Sequence, residues 1–259
     1  ILNLLHSSLY MFNRLKNFFI INNFCSFNKS YFKKNDAKSK AEVLIEFNGF
    51  QPDHIFYSFL SNILSKKHNA KINAYYAYTL ILTPLKFFFL KKLRWQLGSK
   101  LNLFTWKIYR SFNVENIFYP IITKNIDEIS QKKFIKIYKK IKNKKDIEKI
   151  KIEKILFGDL IYDTFLRKYS VPTIDFKEKK FRIFLLDFIK LVYYWLNYFK
   201  KNNVKAVVGS HYCYTYGITL RISTSKNIES YTVDTDAVTK LDKKSNVVKN
   251  MINNLNNTE

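Results

Sequence analysis

Short apolar runs alternate with longer segments of helical period along most of this chain. Val43-Leu44-Ile45-Glu46-Phe47 is β-branched or apolar and is closed by Asn48-Gly49, which fits a buried parallel strand over Glu42 to Phe47. Behind it Ile55, Phe56, Phe59, Leu60, Ile63 and Leu64 recur at helical spacing. Pro52 suits the first turn of that helix and Asp53 complements its dipole. Ala70 to Tyr76 is a second apolar strand, entered through the turn at His68-Asn69, so the three segments make one right-handed βαβ unit.

The alternation continues. Leu80 to Leu97 reads as helical with a break at Pro84, Phe104 to Phe112 as a helix, and Val114 to Phe118 as a short strand ended by Pro120. Ile126 to Lys154 is amphipathic, with Phe134, Ile137, Tyr138 and Ile141 on one face and a solvated lysine face opposite. Ile155 to Tyr169 predicts a helix stopped near Pro172. Phe181 to Phe199 predicts a long, largely buried one. Ala206 to Gly209 is the clearest strand of the second half, followed by a helix from Cys213 to Ser223 and a last strand from Ile228 to Val233. The fold class this implies is α/β: a Rossmann-like open, mostly parallel sheet with helices on both faces and a helical insertion at residues 126 to 200. Residues 1–40 form an irregular or helical extension and linker, 41–233 the α/β domain, and 234–259 a polar tail that reads as the truncated start of a further segment.

Composition changes this picture little. Apolar residues make up 47% of the 259, enough for a sizeable core and against disorder. The net charge of +25 would suit a polyanion such as nucleic acid or an anionic membrane. An excess of Lys, Asn, Ile, Phe and Tyr over Gly, Pro and Ala is also what A/T-rich codons give, so charge alone names no partner. Cys25 and Cys213 have no metal-ligand spacing and read as reduced thiols of a cytosolic protein. The most apolar stretch, Ala74 to Leu90, is interrupted by Pro84 and Lys86. It fits a buried helix or a peripheral contact with an anionic membrane better than a membrane span.

In an open parallel sheet the ligand lies beyond the carboxyl ends of the strands. Two loops there carry chemistry. In the first, Asn48 and Gly49 precede a helix N-terminus, and Gly49 permits a positive φ; a plain structural turn is the alternative. His54 sits beside it in the first helical turn. In the second, Ser210 and His211 follow Gly209, where an imidazole can act as a general base or remain a hydrogen-bonded structural residue. Asp159, Asp163 and Arg167 recur every four residues with Tyr162 beside them, placed either to orient a polyhydroxy substrate or to form i, i+4 ion pairs. Asp234-Thr235-Asp236 has the D-x-D form of some metal-holding sites, but three residues match by chance often, and no metal site is assigned.

Three segments carry a resemblance: GDLIYDTFLRKYSVPTIDFKEKKF (Gly158 to Phe181), VKAVVGSHYCYTYGITLRISTSKNIESYTV (Val204 to Val233) and VLIEFNGFQPDHIFYSFLSNIL (Val43 to Leu64). They resemble bacterial capsule or surface-polysaccharide biosynthesis proteins, glycosyltransferases of the two-domain GT-B type. The resemblance implies transfer of a sugar or sugar-like unit from a nucleotide-activated donor to a glycan acceptor at the cytoplasmic face of the membrane. It implies that this chain is the acceptor-side, N-terminal domain. No cofactor is expected in the chain itself, since the nucleotide-sugar donor would bind a further C-terminal domain, and no nucleic acid is expected. His211 would be the catalytic base or acceptor contact. Asn48, Gly49, His54, Asp159, Tyr162, Asp163 and Ser210 would be substrate-side residues. The reading from another class is a non-enzymatic polyanion binder, acting on RNA or an anionic membrane through lysines and aromatics on one surface.

Overall fold

The computed structural model describes residues 2–33, 40–49, 51–77, 93, 96–233 and 237–243. The chain folds as an open α/β sheet with helices on both faces. In chain order the elements are α1 (Leu2–Tyr31), β1 (Ala41–Glu46), α2 (Gln51–His68), β2 (Lys71–Tyr75), α3 (Phe104–Ser111) and β3 (Val114–Phe118). There follow α4 (Lys124–Tyr138), α5 (Lys144–Glu148), the hairpin β4 (Lys151–Ile152) and β5 (Ile155–Leu156), α6 (Gly158–Tyr169) and α7 (Lys179–Lys201). The last elements are β6 (Asn203–Gly209), a 3-10 turn (Tyr214–Tyr216), α8 (Gly217–Ser225), β7 (Glu229–Val233) and β8 (Val238–Leu241).

The six-stranded sheet has the order β3-β2-β1-β6-β7-β8. All its pairs are parallel except β7 with β8. The chain first winds outward from β1 to β3, then crosses back through α4 to α7 and restarts beside β1 at β6. The strand order therefore reverses between β1 and β6, and a crevice at their carboxyl ends follows from that reversal.

Each side of the sheet has its own core. Val43, Ile45, Ile72, Ala74, Ala206 and Val208 pack with residues of α1, α2 and α3. Leu44 and Val207 point the other way, into a larger core built on α6, α7 and α8 that includes Phe165, Phe184, Phe188 and Trp195. Strand alternation sorts them, because successive side chains leave opposite faces of a strand.

Four features differ from the sequence reading. The buried face of α2 is rotated: Ile55 and Ile63 are exposed, whereas Tyr57, Ser58, Ser61, Asn62, Leu64 and Ser65 are buried. Serines bring the helix close to the sheet, and their hydroxyls are satisfied locally, as Ser58 donates to the Ile55 carbonyl at 2.8 Å. The end of α1 joins the core of the α/β domain, since Cys25, Asn28 and Phe32 are buried and Asn28 Nδ2 donates to Ser111 Oγ at 3.0 Å. The hairpin β4–β5 occupies part of a region read as helical on both sides of it. Its turn puts Glu153 and Lys154 in the left-handed region at φ 48° and 68°, without the Gly or Asn usual there. Finally, β8 lies within the stretch read as tail and buries Leu241.

The helix expected across residues 80 to 97 falls mostly outside the described residues, and Asp234-Thr235-Asp236 falls wholly outside them. Among the described residues no helix is long and apolar enough to cross a membrane.

Candidate functional site at the strand ends

Glu46, the last residue of β1, organises the crevice. Its carboxylate accepts from the Ser210 N–H at 2.7 Å and from the Ser210 hydroxyl at 2.8 Å, tying the end of β1 to the loop after β6. A Cβ at Gly209 would sit in ordinary contact with Glu46 Oε2 at 3.5 Å and tightly against Leu220 Cδ1 at 3.2 Å, so the glycine eases the packing of α8 on β6. Burial raises the Glu46 carboxyl from its ordinary 4.5 to about 7, partly offset by the two Ser210 hydrogen bonds and reinforced by the nearby Asp53 carboxylate. The side chain therefore changes charge near neutral pH. Residues in such positions are functional-site candidates on physical grounds.

The first loop is held as a turn. Asn48 donates through its backbone N–H to Tyr109 Oη at 2.8 Å and through Nδ2 to Asp53 Oδ2 at 2.6 Å. Tyr109 in turn donates to the Glu46 carbonyl at 2.6 Å, and the His54 Nε2–H donates to the Asn48 carbonyl at 2.7 Å. The groups through which Asn48 was expected to meet substrate are thus engaged in shaping the turn. Burial holds the His54 imidazole below its ordinary pKa, partly offset by the hydrogen bond to the Asn48 carbonyl. Gly49 is exposed, and its φ is not positive, unlike the expectation; the turn gets its shape from the Asn48 hydrogen bonds. Gly49 and His54 do line one small cavity, about 210 Å³, together with Asn17 and Ile21 of α1 and Phe104, Thr105 and Ile108 of α3.

In the second loop Ser210 is buried and locked to Glu46, while His211 is exposed, with its ring edge-on to Tyr216 at 5.9 Å. The loop is backed by α6, which holds Asp159, Tyr162 and Asp163. The Cβ absent from Gly217 would lie 3.2 Å from Leu160 Cδ2 and 2.1 Å from the Tyr212 carbonyl, and Arg167 lies 4.6 Å from the centroid of the Tyr214 ring. Asp159 forms a two-pronged ion pair with Arg221 of α8, Nη2 to Oδ2 at 2.8 Å, and Arg221 Nη1 also donates to the Leu156 carbonyl at 3.1 Å. Asp159 thus pins α6 to α8, in place of an i, i+4 pair along its own helix. Tyr162 is buried under the Lys144 ammonium, 4.4 Å from its ring centroid. Asp163 is raised above its ordinary pKa by burial and then by Asp159 and Glu148.

The structure therefore brings Asn48, Gly49 and His54 together at one strand end, and Ser210 and His211 together at the neighbouring one, joined through Glu46. It keeps Asp159, Tyr162 and Asp163 behind the second loop. The sequence reads Glu46 and Asp53 as strand and helix-start residues and Tyr109 as part of a helix, without a role at the site. The signal available for Glu46 was an acid closing an otherwise apolar strand.

Lysines are concentrated elsewhere. A groove of about 450 Å³ between α4 and the α5–β4 segment is lined by Lys133, Lys136, Lys140, Lys149 and Lys151 over isoleucines. Its apolar lining is Ile137, Ile141 and Ile150, and no aromatic ring among the described residues lines it. Among the described residues no group of three or more metal-ligating side chains comes together. No family model, curated protein or solved structure matches the chain.

Proposed function

We propose that the crevice at the ends of β1 and β6 takes a hydroxyl-bearing glycan acceptor, and that the chain is the acceptor-side domain of a glycosyltransferase in surface-polysaccharide synthesis. The observation that carries this reading is the Glu46–Ser210 clamp. It fixes the strand-reversal crevice and leaves His211 exposed just beyond it. In this reading the His211 imidazole accepts the proton of an acceptor hydroxyl as that oxygen attacks the anomeric carbon of a nucleotide-activated sugar. The bond from that carbon to the nucleotide phosphate breaks, and the nucleotide leaves with the electron pair. Ser210 and Glu46 set the position of the histidine's loop; Gly49 and His54 form the opposite wall.

Transfer is measured as nucleotide release in the protein expressed from its complete reading frame. His211→Ala is expected to lower the rate by roughly 10²-fold or more while leaving the melting temperature unchanged, since the side chain is exposed. An undiminished rate would remove His211 from the mechanism. Failure of acceptor oligosaccharides to shift the amide resonances of Gly49, Ser210 and His211 would sink the acceptor reading as a whole. The lysine groove favours the second reading, a non-enzymatic polyanion binder, whose mark would be affinity falling steeply with salt and indifferent to His211.

A further inference from the structure

A second cavity lies at the opposite end of the sheet from the crevice. It has a volume of about 540 Å³ and takes part of its wall from Thr224, Ser225 and Lys226 at the end of α8, just before β7 begins. That volume falls within the roughly 300–1,000 Å³ typical of small-molecule sites. From α8 the cavity takes Arg221, Thr224 and Ser225, whereas the Ser210–His211 loop precedes that helix.

Its lining divides by chemistry. Ile155, Leu156 and Leu196 supply an apolar surface, and Lys154, Lys226 and Lys243 supply ammonium groups with no ion pair among the described residues. The other charges on the wall are already matched. Arg221, buried to 3% exposure, is held by Asp159. Glu153 accepts from Tyr193 at 2.6 Å and Lys133 at 3.3 Å. Ser225 spends its hydroxyl hydrogen on the Ile222 carbonyl at 2.7 Å, so toward a ligand it is an acceptor. The hairpin turn that presents Lys154 holds it in the left-handed region, an unfavourable conformation for lysine.

We propose that this cavity binds a small phosphorylated polyol, a sugar phosphate in chemical class. The three ammonium groups meet the phosphate, the isoleucine and leucines lie under the carbon skeleton, and the Ser225 oxygen accepts from a sugar hydroxyl. A nucleic-acid strand fits less well, since no aromatic ring among the described residues lines the cavity for a base to stack on. The site stands independently of the acceptor reading, whose Glu46, Ser210 and His211 lie at the carboxyl ends of β1 and β6.

The test is calorimetric titration of the chain with glucose 6-phosphate, inorganic phosphate and glucose in parallel. Glucose 6-phosphate is expected to bind at least tenfold more tightly than either of the others. The double variant Lys154→Asn, Lys226→Gln is expected to lose at least tenfold of that affinity. Asn tolerates the left-handed turn better than Lys, so the variant's melting temperature should hold. Absence of glucose 6-phosphate binding, or binding unaltered in the folded double variant, would overturn the site. Equal affinity for inorganic phosphate would overturn the polyol assignment. Ser225→Ala separates the parts further: a weakened sugar phosphate with unchanged inorganic phosphate is expected, and equal weakening of both would remove the hydroxyl contact.

Discussion

At the amino end of β1, Glu42 is buried beside a cation: Lys71 Nζ lies 3.4 Å from its carboxylate, and Tyr198 Oη donates to it at 2.7 Å. Four residues on, and on the same face of the strand, Glu46 is buried with no cation beside it among the described residues, held by the N–H and hydroxyl of Ser210 and facing the Asp53 carboxylate. Two glutamates in one strand thus mark two kinds of strand end. A compensated carboxylate does structural duty across the sheet. A carboxylate desolvated with only neutral hydrogen-bond donors beside it is costly when charged, and that cost is sustained where the strand order reverses.

The largest effect expected from this contrast is a pH dependence. Glu46 has a folded-state pKa of about 7 against an ordinary 4.5, so the folded state binds the proton more tightly than the unfolded one. The stability this contributes is full below about pH 4.5 and is lost as pH rises through 7. The loss is of order 3 kcal/mol, from 1.36 kcal/mol per pH unit. Glu46→Gln, measured by urea denaturation between pH 4.5 and 8, should flatten the stability profile by that amount relative to wild type. Parallel profiles for the two proteins would show that Glu46 ionises freely, and would erase the contrast with Glu42.

How much of this was legible in the sequence depends on what each residue answers to. β1 and the strand at Ala206 to Gly209 were readable because a buried parallel strand is apolar on both faces, which is a local property of the sequence, and β3, a half-exposed edge strand, was readable from its short length and the Pro120 that closes it. The alternation of strands and helices then gave the open sheet. The rotation of α2 was not readable. Its apolar stripe through Ile55 and Ile63 competes with small hydroxyl residues that permit a closer approach to the sheet, and only the assembled packing shows which face is buried. At the site, Ser210 and His211 were placed correctly beyond β6 by strand polarity alone. Glu46 was overlooked because its partner is Ser210, 164 residues away, and no local pattern records that pairing. Arg221 as the partner of Asp159 was hidden for the same reason, leaving the i, i+4 pair as the only one the spacing could suggest.

The amino end offers the next effect in size. Tyr198→Phe removes the hydroxyl that donates to Glu42 and leaves the carboxylate with Lys71. A hydrogen bond to a charged group is worth about 2 kcal/mol, so a loss of that order is expected in chemical denaturation. Lys71 stays 3.4 Å from the carboxylate, so the variant should still unfold cooperatively. No loss of stability would mean that the Tyr198 hydroxyl does not hold Glu42, and the contrast between the two strand ends would go.

The smallest effect isolates the clamp itself. Ser210→Ala deletes the hydroxyl donor to Glu46 and keeps the backbone one. At pH 5 Glu46 is protonated in the folded state, and the lost bond is one between neutral groups, worth about 1 kcal/mol. At pH 8 the lost bond is to a carboxylate and costs about 2 kcal/mol. The difference of about 1 kcal/mol corresponds to a further rise of roughly 0.7 unit in the Glu46 pKa, because a donor that favours the charged form has gone. The ¹³C chemical shift of the Glu46 carboxyl, followed through the titration, reads that rise directly. If the midpoint stays where it is in the wild type, the hydroxyl does not hold the charged form, and the backbone N–H alone ties β1 to the loop that carries His211.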